Sequence, residues 1–209
     1  NNAIRYLRKT ASVIRSMRPT AVNLEWAVNR VLSAAENSET TSQLIENAKN
    51  EADAILIEDL KINLQLRKNG CKLIKNDEVI ITHCNAGSLA TSYGGSALSI
   101  IEEAFVNGKD ITVIVKETRP RSQGLKLTLW ELNRVGVPVV CITDNMVASS
   151  IQRFKISRAL VGADRISKDG YVANKIGTFD LAIICHYFKI PFYVAASYST
   201  LDLKIKGNS

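Results

Sequence analysis

Five short apolar runs in the second half of the sequence are each followed directly by polar or reactive side chains. The runs cover residues 78–82, 111–116, 137–143, 159–162 and 191–195. The side chains that follow them are His83, Cys84 and Asn85, then Glu117, Thr118 and Arg119, then Asp144 and Asn145, then Asp164 and Arg165, and last Ser197. The carboxyl ends of the strands in an open parallel sheet face one crevice, where such folds bind ligands. Five clusters in register therefore predict a ligand site at that edge rather than unrelated surface loops.

The first cluster contains a cysteine at a position that suits chemistry. Cys84 lies between a strand and a helix that the sequence predicts to begin near Ser88. The partial positive charge of a helix N-terminus favours the thiolate, so one interpretation of Cys84 is a reactive thiol. The other is a small core residue, as cysteines often are. His83 alternates to the opposite side of the strand and is predicted to be structural.

Two further stretches could contact an anionic sugar. The glycines of residues 92–97 could admit an anion, yet they lack the spacing of known phosphate loops, so packing or loop closure is an equal alternative. The loop after the second run contains Arg119, Arg121 and Gln123. Arginine binds phosphate through its fork, and glutamine can hydrogen-bond a sugar hydroxyl. An ion pair with Glu117 is the simpler explanation of Arg119, whereas Gln123 stays a candidate ligand contact.

The fourth run ends in small residues followed by Asp164. A carboxylate in a partly apolar site can act as a general acid or base, and capping of the next turn is the alternative. Asn174 and Lys175 then precede a predicted helix over residues 176–188. An ammonium near the positive end of a helix is unfavourable unless an anion joins it. This predicts a ligand phosphate or the Asp164 carboxylate beside Lys175, with a solvated lysine as the alternative.

Periodicity indicates the elements that must position these residues. Helical spacing of apolar residues predicts three helices in residues 1–70, with a break at 18–20 and the third helix running from Thr41 to near Gly70. From residue 76, β-branched runs alternate with helical segments. We therefore predict an α/β fold with a helical N-terminal domain, residues 1–75, followed by a Rossmann-like parallel sheet wound by helices, residues 76–209. Both domains are expected to be incomplete at their outer ends, because the sequence reads as an excerpt from a longer chain.

Composition excludes several classes of protein. The 209 residues are 46% hydrophobic and 22% charged, which is ordinary for a globular protein and excludes disordered and collagen-like chains. No apolar stretch approaches the roughly 18 residues that span a membrane. The four cysteines form no CxxC pair, so neither a zinc site nor a disulfide framework is expected, and a reducing cytoplasm is the expected compartment. The net charge of +7 is spread along the chain, which favours an anionic small molecule over nucleic acid.

Six ordered blocks resemble the methylthioribose-1-phosphate isomerases of methionine salvage, a family that shares its fold with regulatory subunits of a translation-initiation exchange factor. The blocks are RPTAVNL at 18–24, THCNAG at 82–87, ETRP with QG at 117–124, ITDNM at 142–146, GADRI at 162–166 and VANKIGT at 172–178. The sequence departs from the family in having no upstream Arg-Gly-Ala-Pro segment and no closing strand and helix. In addition, Tyr93 stands one place earlier than the family's tyrosine, and Gly94 fills that tyrosine's position.

The resemblance implies an activity and a set of site residues. The activity is aldose–ketose isomerisation of 5-methylthioribose 1-phosphate to 5-methylthioribulose 1-phosphate, a step of methionine biosynthesis by salvage. It also implies a cytoplasmic homodimer that uses no metal or other cofactor. The residues implied are Cys84 and Asp164 for catalysis, and Arg18, Gln123, Asn174 and Lys175 for binding of the sugar phosphate.

Two other functions are open. A ribose-1,5-bisphosphate isomerase resembles the chain around Cys84 and in residues 117–124, but such enzymes typically have serine where Arg165 stands. A non-catalytic regulatory subunit of the exchange-factor family is the second alternative. The presence of both Cys84 and Asp164 argues against it, because a binding module has no need of that pair.

Overall fold

The computed structural model of the protein describes residues 2–207. The helices are α1 (Asn2–Ser16), α2 (Val22–Glu36), α3 (Thr41–Gly70), α4 (Ala97–Val106), α5 (Leu129–Val135), α6 (Val147–Phe154) and α7 (Thr178–Tyr187). The strands are β1 (Glu78–Thr82), β2 (Ile111–Lys116), β3 (Val139–Ile142), β4 (Arg158–Val161), β5 (Arg165–Ser167), β6 (Val172–Ala173), β7 (Phe192–Val194) and β8 (Leu201–Asp202). Within residues 2–207, no helix is both long enough and apolar enough to cross a membrane.

The chain divides into two compact units. The first contains the residues up to Lys61, Asp164–Ala173 and the residues from Tyr198 onward. The second contains Ile62–Ala163 and Asn174–Ser197. Each unit is therefore discontinuous in sequence, whereas the domains that the sequence suggests, 1–75 and 76–209, are continuous.

The second unit is built on a five-stranded parallel sheet with the order β3-β2-β1-β4-β7. Its central strand β1 pairs with β2 along its whole length, from Glu78 opposite Ile111 to Thr82 opposite Val115. The order reverses between β1 and β4, which makes the carboxyl end of β1 the topological switch point of the sheet. The predicted α/β fold with a Rossmann-like parallel sheet is confirmed.

Successive residues of the central strand face opposite layers of helix. Ile80 lies in a cluster with Leu98 and Ile101 of α4, and Ile81 lies in a second cluster with Leu181 of α7. All five side chains are fully buried. A strand covered on both faces must be apolar at every position, which is why these strands appear in the sequence as uninterrupted apolar runs.

The first unit combines the helices α1 and α2, which end and begin where the sequence predicts, with a small sheet of order β6-β5-β8. Strand β5 pairs antiparallel with β6 and parallel with β8. The Arg165 guanidinium lies 3.0 Å from the Asp202 carboxylate and ties β5 to β8. The sequence did not predict this sheet, because strands of two or three residues are too short to show a period.

One predicted helix start is wrong. The chain forms only a short 3-10 turn at Ser88–Ala90, and α4 begins at Ala97. Gly94 and Gly95 between them have φ angles of 73° and 84°, in the left-handed region that ends a helix. The expected helix N-terminus beside Cys84 is therefore absent, and the dipole argument for a reactive thiol fails with it.

A buried ion pair at the amino edge of the sheet gives a stability prediction. The Arg158 guanidinium pairs with the Glu78 carboxylate, and both side chains are about nine-tenths buried. Replacing Glu78 with alanine leaves a buried guanidinium without its carboxylate, which costs about 3–5 kcal/mol of unfolding free energy. Urea denaturation followed by circular dichroism measures the loss.

The matched control is Glu39→Ala, which removes an exposed carboxylate that makes no ion pair within the described residues. Its unfolding free energy should change by less than about 0.5 kcal/mol. Equal losses in the two variants would contradict the role of the buried pair.

Candidate active site

The switch point of the sheet is lined by small residues. Gly162 follows β4, and a Cβ placed on it would lie only 2.9 Å from the Cβ of Ala86 in the segment after β1. No side chain larger than glycine fits at this position without moving Ala86. The two strand ends that flank the switch point therefore come together closely, immediately beside Cys84 in the chain.

Cys84 has a left-handed backbone conformation, with a φ of 66°, that residues other than glycine rarely adopt. Two threonine hydroxyls hold it there. The Cys84 N–H donates to Thr118 Oγ1 at 2.9 Å, and Thr128 Oγ1 donates to the Cys84 carbonyl at 2.6 Å. Both threonines are fully buried, while Cys84 itself is half-buried. Non-glycine residues in such conformations cluster at functional sites, where surrounding contacts stabilise them.

The loop after Cys84 is anchored by a buried carboxylate rather than by a helix. Glu131 of α5 accepts hydrogen bonds at 2.7 Å from Asn85 Nδ2, from the Ser88 N–H and from the Ser88 hydroxyl. A Cβ on Gly87 would collide with the same carboxylate. Contacts with the Glu131 carboxylate, and not a helix N-terminus, therefore hold this loop.

A second carboxylate holds the loop after β2. Asp144, just past β3, accepts the N–H of Thr118 at 3.0 Å and the N–H of Arg119 at 2.7 Å. Thr118 and Ser122 both have left-handed backbones, with φ angles of 67° and 56°. Within residues 2–207 no ion pair joins Glu117 to Arg119, so the Asp144 carboxylate and not that pair secures the loop.

Gln123 presents an unsatisfied acceptor. It precedes a π-helical turn over Gly124–Thr128, a kind of turn that is frequent at functional sites. The turn requires glycine at 124, because a Cβ there would overlap the Lys116 carbonyl. Within the described residues, Gln123 Oε1 is buried and has no hydrogen-bond partner. A buried oxygen of this kind costs stability until a donor reaches it, and a ligand hydroxyl is such a donor.

Asn174 and Lys175 form a tight turn ahead of α7. Asn174 Nδ2 donates to Thr178 Oγ1 at 3.1 Å, and that hydroxyl donates to the Lys175 carbonyl at 2.6 Å. Lys175 is half-buried, and its ammonium makes no hydrogen bond or ion pair within the part of the chain that the structure describes. Lys175 precedes α7 by three positions, because the helix begins at Thr178 instead of residue 176.

The first unit contains the other two predicted site residues, and it brings them together. Arg18 lies in the turn between α1 and α2, and its Nη2 is 3.4 Å from Asp164 Oδ1. The Asp164 backbone is fixed on both sides, since its N–H donates to Ala173 at 2.9 Å and its carbonyl accepts the Val22 N–H at 3.4 Å. The Arg18 side chain is 55% exposed and therefore free to change partners.

Sequence reasoning missed the residues that support Cys84. Thr128 and Glu131 lie in an ordinary-looking helical segment, and their partners precede them by more than forty positions. No local pattern could have paired them.

Within residues 2–207, no group of three or more histidine, cysteine, aspartate or glutamate side chains is arranged to hold a metal ion.

Comparisons with known proteins place the chain among relatives. The model of the initiation factor 2 subunit family matches residues 2–209. The chain is 46% identical to methylthioribose-1-phosphate isomerase 1 of Pseudothermotoga lettingae, covering 100% of this chain and 60% of that protein. It is 48% identical to the methylthioribose-1-phosphate isomerase of Chloroflexus aurantiacus, covering 94% and 57%. The chain thus spans about 60% of the length of the curated relatives it matches.

Solved structures show the same fold. A crystal structure of 5-methylthioribose 1-phosphate isomerase from Pyrococcus horikoshii has a TM-score of 0.82 and 38% identity, covering 95% of this chain and 56% of that one. A crystal structure of translation initiation factor eIF-2B subunit delta from A. fulgidus has a TM-score of 0.81 and 41% identity, covering 99% and 60%. The similarity therefore extends to proteins named as enzymes and to proteins named as initiation factors.

The partly buried carboxyl group of Glu102, which lies near Glu131, gives a prediction for the pH dependence of stability. Burial, and secondly the neighbouring Glu131 charge, raise the pKa of Glu102 from 4.5 to about 7. As pH rises from 4.5 to 7, the unfolded chain therefore loses this proton while the folded chain keeps it, so folding stability falls across that interval. In thermal unfolding scans, Glu102→Gln should remove part of this decline. Parallel pH profiles for the two proteins would contradict the assignment.

Proposed function

The chain belongs to the initiation factor 2 subunit family, and on this premise we propose that the whole protein is an aldose–ketose isomerase that acts on 5-methylthioribose 1-phosphate. Isomerases of that name among its relatives support the substrate. The observation that carries the proposal is the conformation of Cys84. Two hydrogen bonds hold its backbone in the left-handed region at the switch point of the sheet, and its side chain is half-buried there. In such sheets this edge is the ligand site.

We propose that four residues bind the sugar phosphate. The Lys175 ammonium ahead of α7 suits the phosphate, because the helix N-terminus adds positive potential and the described residues offer it no anion. Asn174 belongs to the same turn. Gln123 Oε1 suits a sugar hydroxyl, which would satisfy its buried lone pairs. Arg18 contributes a second cation for the phosphate.

The reaction has two steps, which are opening of the sugar ring and transfer of hydrogen from C2 to C1. The anomeric phosphate prevents spontaneous ring opening, so we propose that Asp164 protonates the ring oxygen as its bond to C1 breaks, which leaves C1 electron-poor. C2 then loses its hydrogen and its hydroxyl loses a proton to become the ketone, while C1 gains a hydrogen, so the numbers of atoms and electrons are unchanged. In one route the hydrogen moves as a proton through an enediol, with Cys84 as the base. In the other it moves as a hydride, and Cys84 and Asp164 transfer protons to and from the sugar oxygens. Solvent deuterium at C1 of the product distinguishes the first route from the second.

The cellular setting follows the same resemblance. We propose a cytoplasmic homodimer that serves methionine salvage. The names of the relatives support the reaction, and the sparse cysteines suit a reducing compartment.

A second candidate function is a regulatory subunit of a translation-initiation exchange factor. The observation that favours it is the similarity to the A. fulgidus structure named as eIF-2B subunit delta. Ribose-1,5-bisphosphate isomerase is the third. Assays of the full-length protein with both sugar phosphates separate the three, because ketose formation from neither sugar is the outcome expected of a regulatory subunit. A kcat/KM that favours ribose 1,5-bisphosphate would replace the proposed substrate.

Substitution of the two proposed catalytic residues tests their roles. Cys84→Ser and Asp164→Asn should each lower kcat by about 10²-fold or more, since general acid–base groups contribute on that scale. Binding of the substrate, measured by isothermal titration calorimetry, should persist. Full activity in either variant would remove that residue from the mechanism.

Matched controls separate chemistry from folding. Cys141→Ser alters a half-buried cysteine within β3, and Asp53→Asn alters an exposed aspartate of α3. Neither residue takes part in the proposed reaction, so both variants should retain kcat within about threefold of the unaltered protein, a difference well under 1 kcal/mol.

A further inference from the structure

Two buried ionisable side chains have no part in the reaction proposed above. His83 follows β1, and Lys116 ends the neighbouring strand β2. Each is only 1% exposed. A buried ammonium or imidazole is costly unless its donors are satisfied. Both side chains lie beside the carboxyl edge of the sheet, so the partners of His83 Nε2 and Lys116 Nζ bear on the candidate site.

The donors reach two consecutive carbonyls. His83 Nε2 lies 2.8 Å from the Ile176 carbonyl oxygen, and Lys116 Nζ lies 3.1 Å from the Gly177 carbonyl oxygen. Because a carbonyl oxygen only accepts, His83 must carry its hydrogen on Nε2. Burial, and secondly the Lys116 charge, lower the pKa of His83 and keep the ring in this neutral form.

The carbonyls belong to a segment packed directly against the two side chains. Gly177 has a φ of 91°, which favours glycine. A Cβ on it would lie 3.2 Å from His83 Cε1 and Nε2, and 3.5 Å from Lys116 Nζ. The chain therefore approaches these donors as closely as a glycine allows.

The same segment continues without interruption into the Asn174–Lys175 turn. The Lys175 carbonyl accepts both the N–H of Thr178 at 3.0 Å and its hydroxyl at 2.6 Å. Residues 174–178 thus form one hydrogen-bonded turn, and two carbonyls within it, those of Ile176 and Gly177, contact side chains from the sheet. We propose that His83 and Lys116 are positioning residues that fix this turn so that Lys175 meets the substrate phosphate, an inference that rests on the proposed function.

Charge explains why a lysine occupies an otherwise apolar strand. Lys116 Nζ is 4.0 Å from Asp144 Oδ1, the carboxylate that also holds the loop after β2. Burial lowers the pKa of Lys116, and the charges of Asp144 and Asp180 oppose that shift. A methionine of similar length has no N–H donor, so it cannot replace the hydrogen bond from Lys116 to the Gly177 carbonyl.

The His83 position offers a test with an internal rescue. In glutamine the amide nitrogen stands as far along the side chain as Nε2 does in histidine, whereas in asparagine it stands only as far as Nδ1. In the full-length protein, His83→Asn should raise the KM for 5-methylthioribose 1-phosphate about tenfold with kcat within about threefold, the scale of one buried hydrogen bond. His83→Gln should restore KM to within about threefold. Equal KM values in the two variants, or a loss confined to kcat, would overturn the proposal.

The Lys116 position offers a readout that needs no activity. Amide hydrogen exchange measured by mass spectrometry compares Lys116→Met with Lys72→Met, which alters an exposed lysine of the same unit. Protection of the peptide spanning 174–181 should fall about tenfold or more in Lys116→Met only. Unchanged protection there would refute the positioning role. If the unaltered protein isomerises neither sugar, the proposed function fails, and the exchange experiment still decides whether these side chains hold the turn.

Discussion

The buried hydroxyl of Thr118 is the interaction on which the rest of the candidate site depends. It accepts the Cys84 N–H at 2.9 Å and donates to the Lys116 carbonyl at 3.0 Å, so it joins the turn after β1 to the end of β2. His83 Nδ1 lies 3.4 Å from the same oxygen. Thr118 and Cys84 both have left-handed backbones, each costing on the order of 1–3 kcal/mol. The buried sheet beneath them must offset that cost, which explains why the strained residues lie at the ends of its most buried strands.

The sheet topology supplies what surrounds this hydroxyl. Since β1 pairs with β2 on one side and β4 on the other, the ends of all three strands converge at one edge. Glycines let the connections approach each other there, as with Gly162 against Ala86 and Gly124 against the Lys116 carbonyl. Carboxylates then fix the loops through backbone N–H groups. A ligand at this edge would therefore meet groups that hydrogen bonds already hold in place.

Most of the second unit's sheet could be predicted from the sequence. Its five strands lie where the apolar runs predict them, because burial on both faces leaves no other pattern. The small sheet of the first unit could not be predicted, since β6 and β8 have two residues each. The predicted helix at Ser88 failed because Gly94 and Gly95 override the helical pattern. Cys84 and Asp164 were recognisable by their position after strands, whereas Arg18 became a candidate only through the family resemblance, and the residues that support Cys84 were not recognisable. Glu131 contacts Asn85 across 46 positions, and such partners carry no local signal.

We propose that the carboxyl edge of this sheet isomerises a sugar phosphate, and carbon-13 NMR can follow that reaction directly. The full-length protein would be incubated with 5-methylthioribose 1-phosphate labelled at C2. We expect the C2 resonance to move from the region of a ring secondary alcohol to that of a ketone carbonyl, as the protein converts many equivalents of substrate. A C2 resonance that stays that of the alcohol, in the presence of folded protein that binds the sugar phosphate, would contradict it.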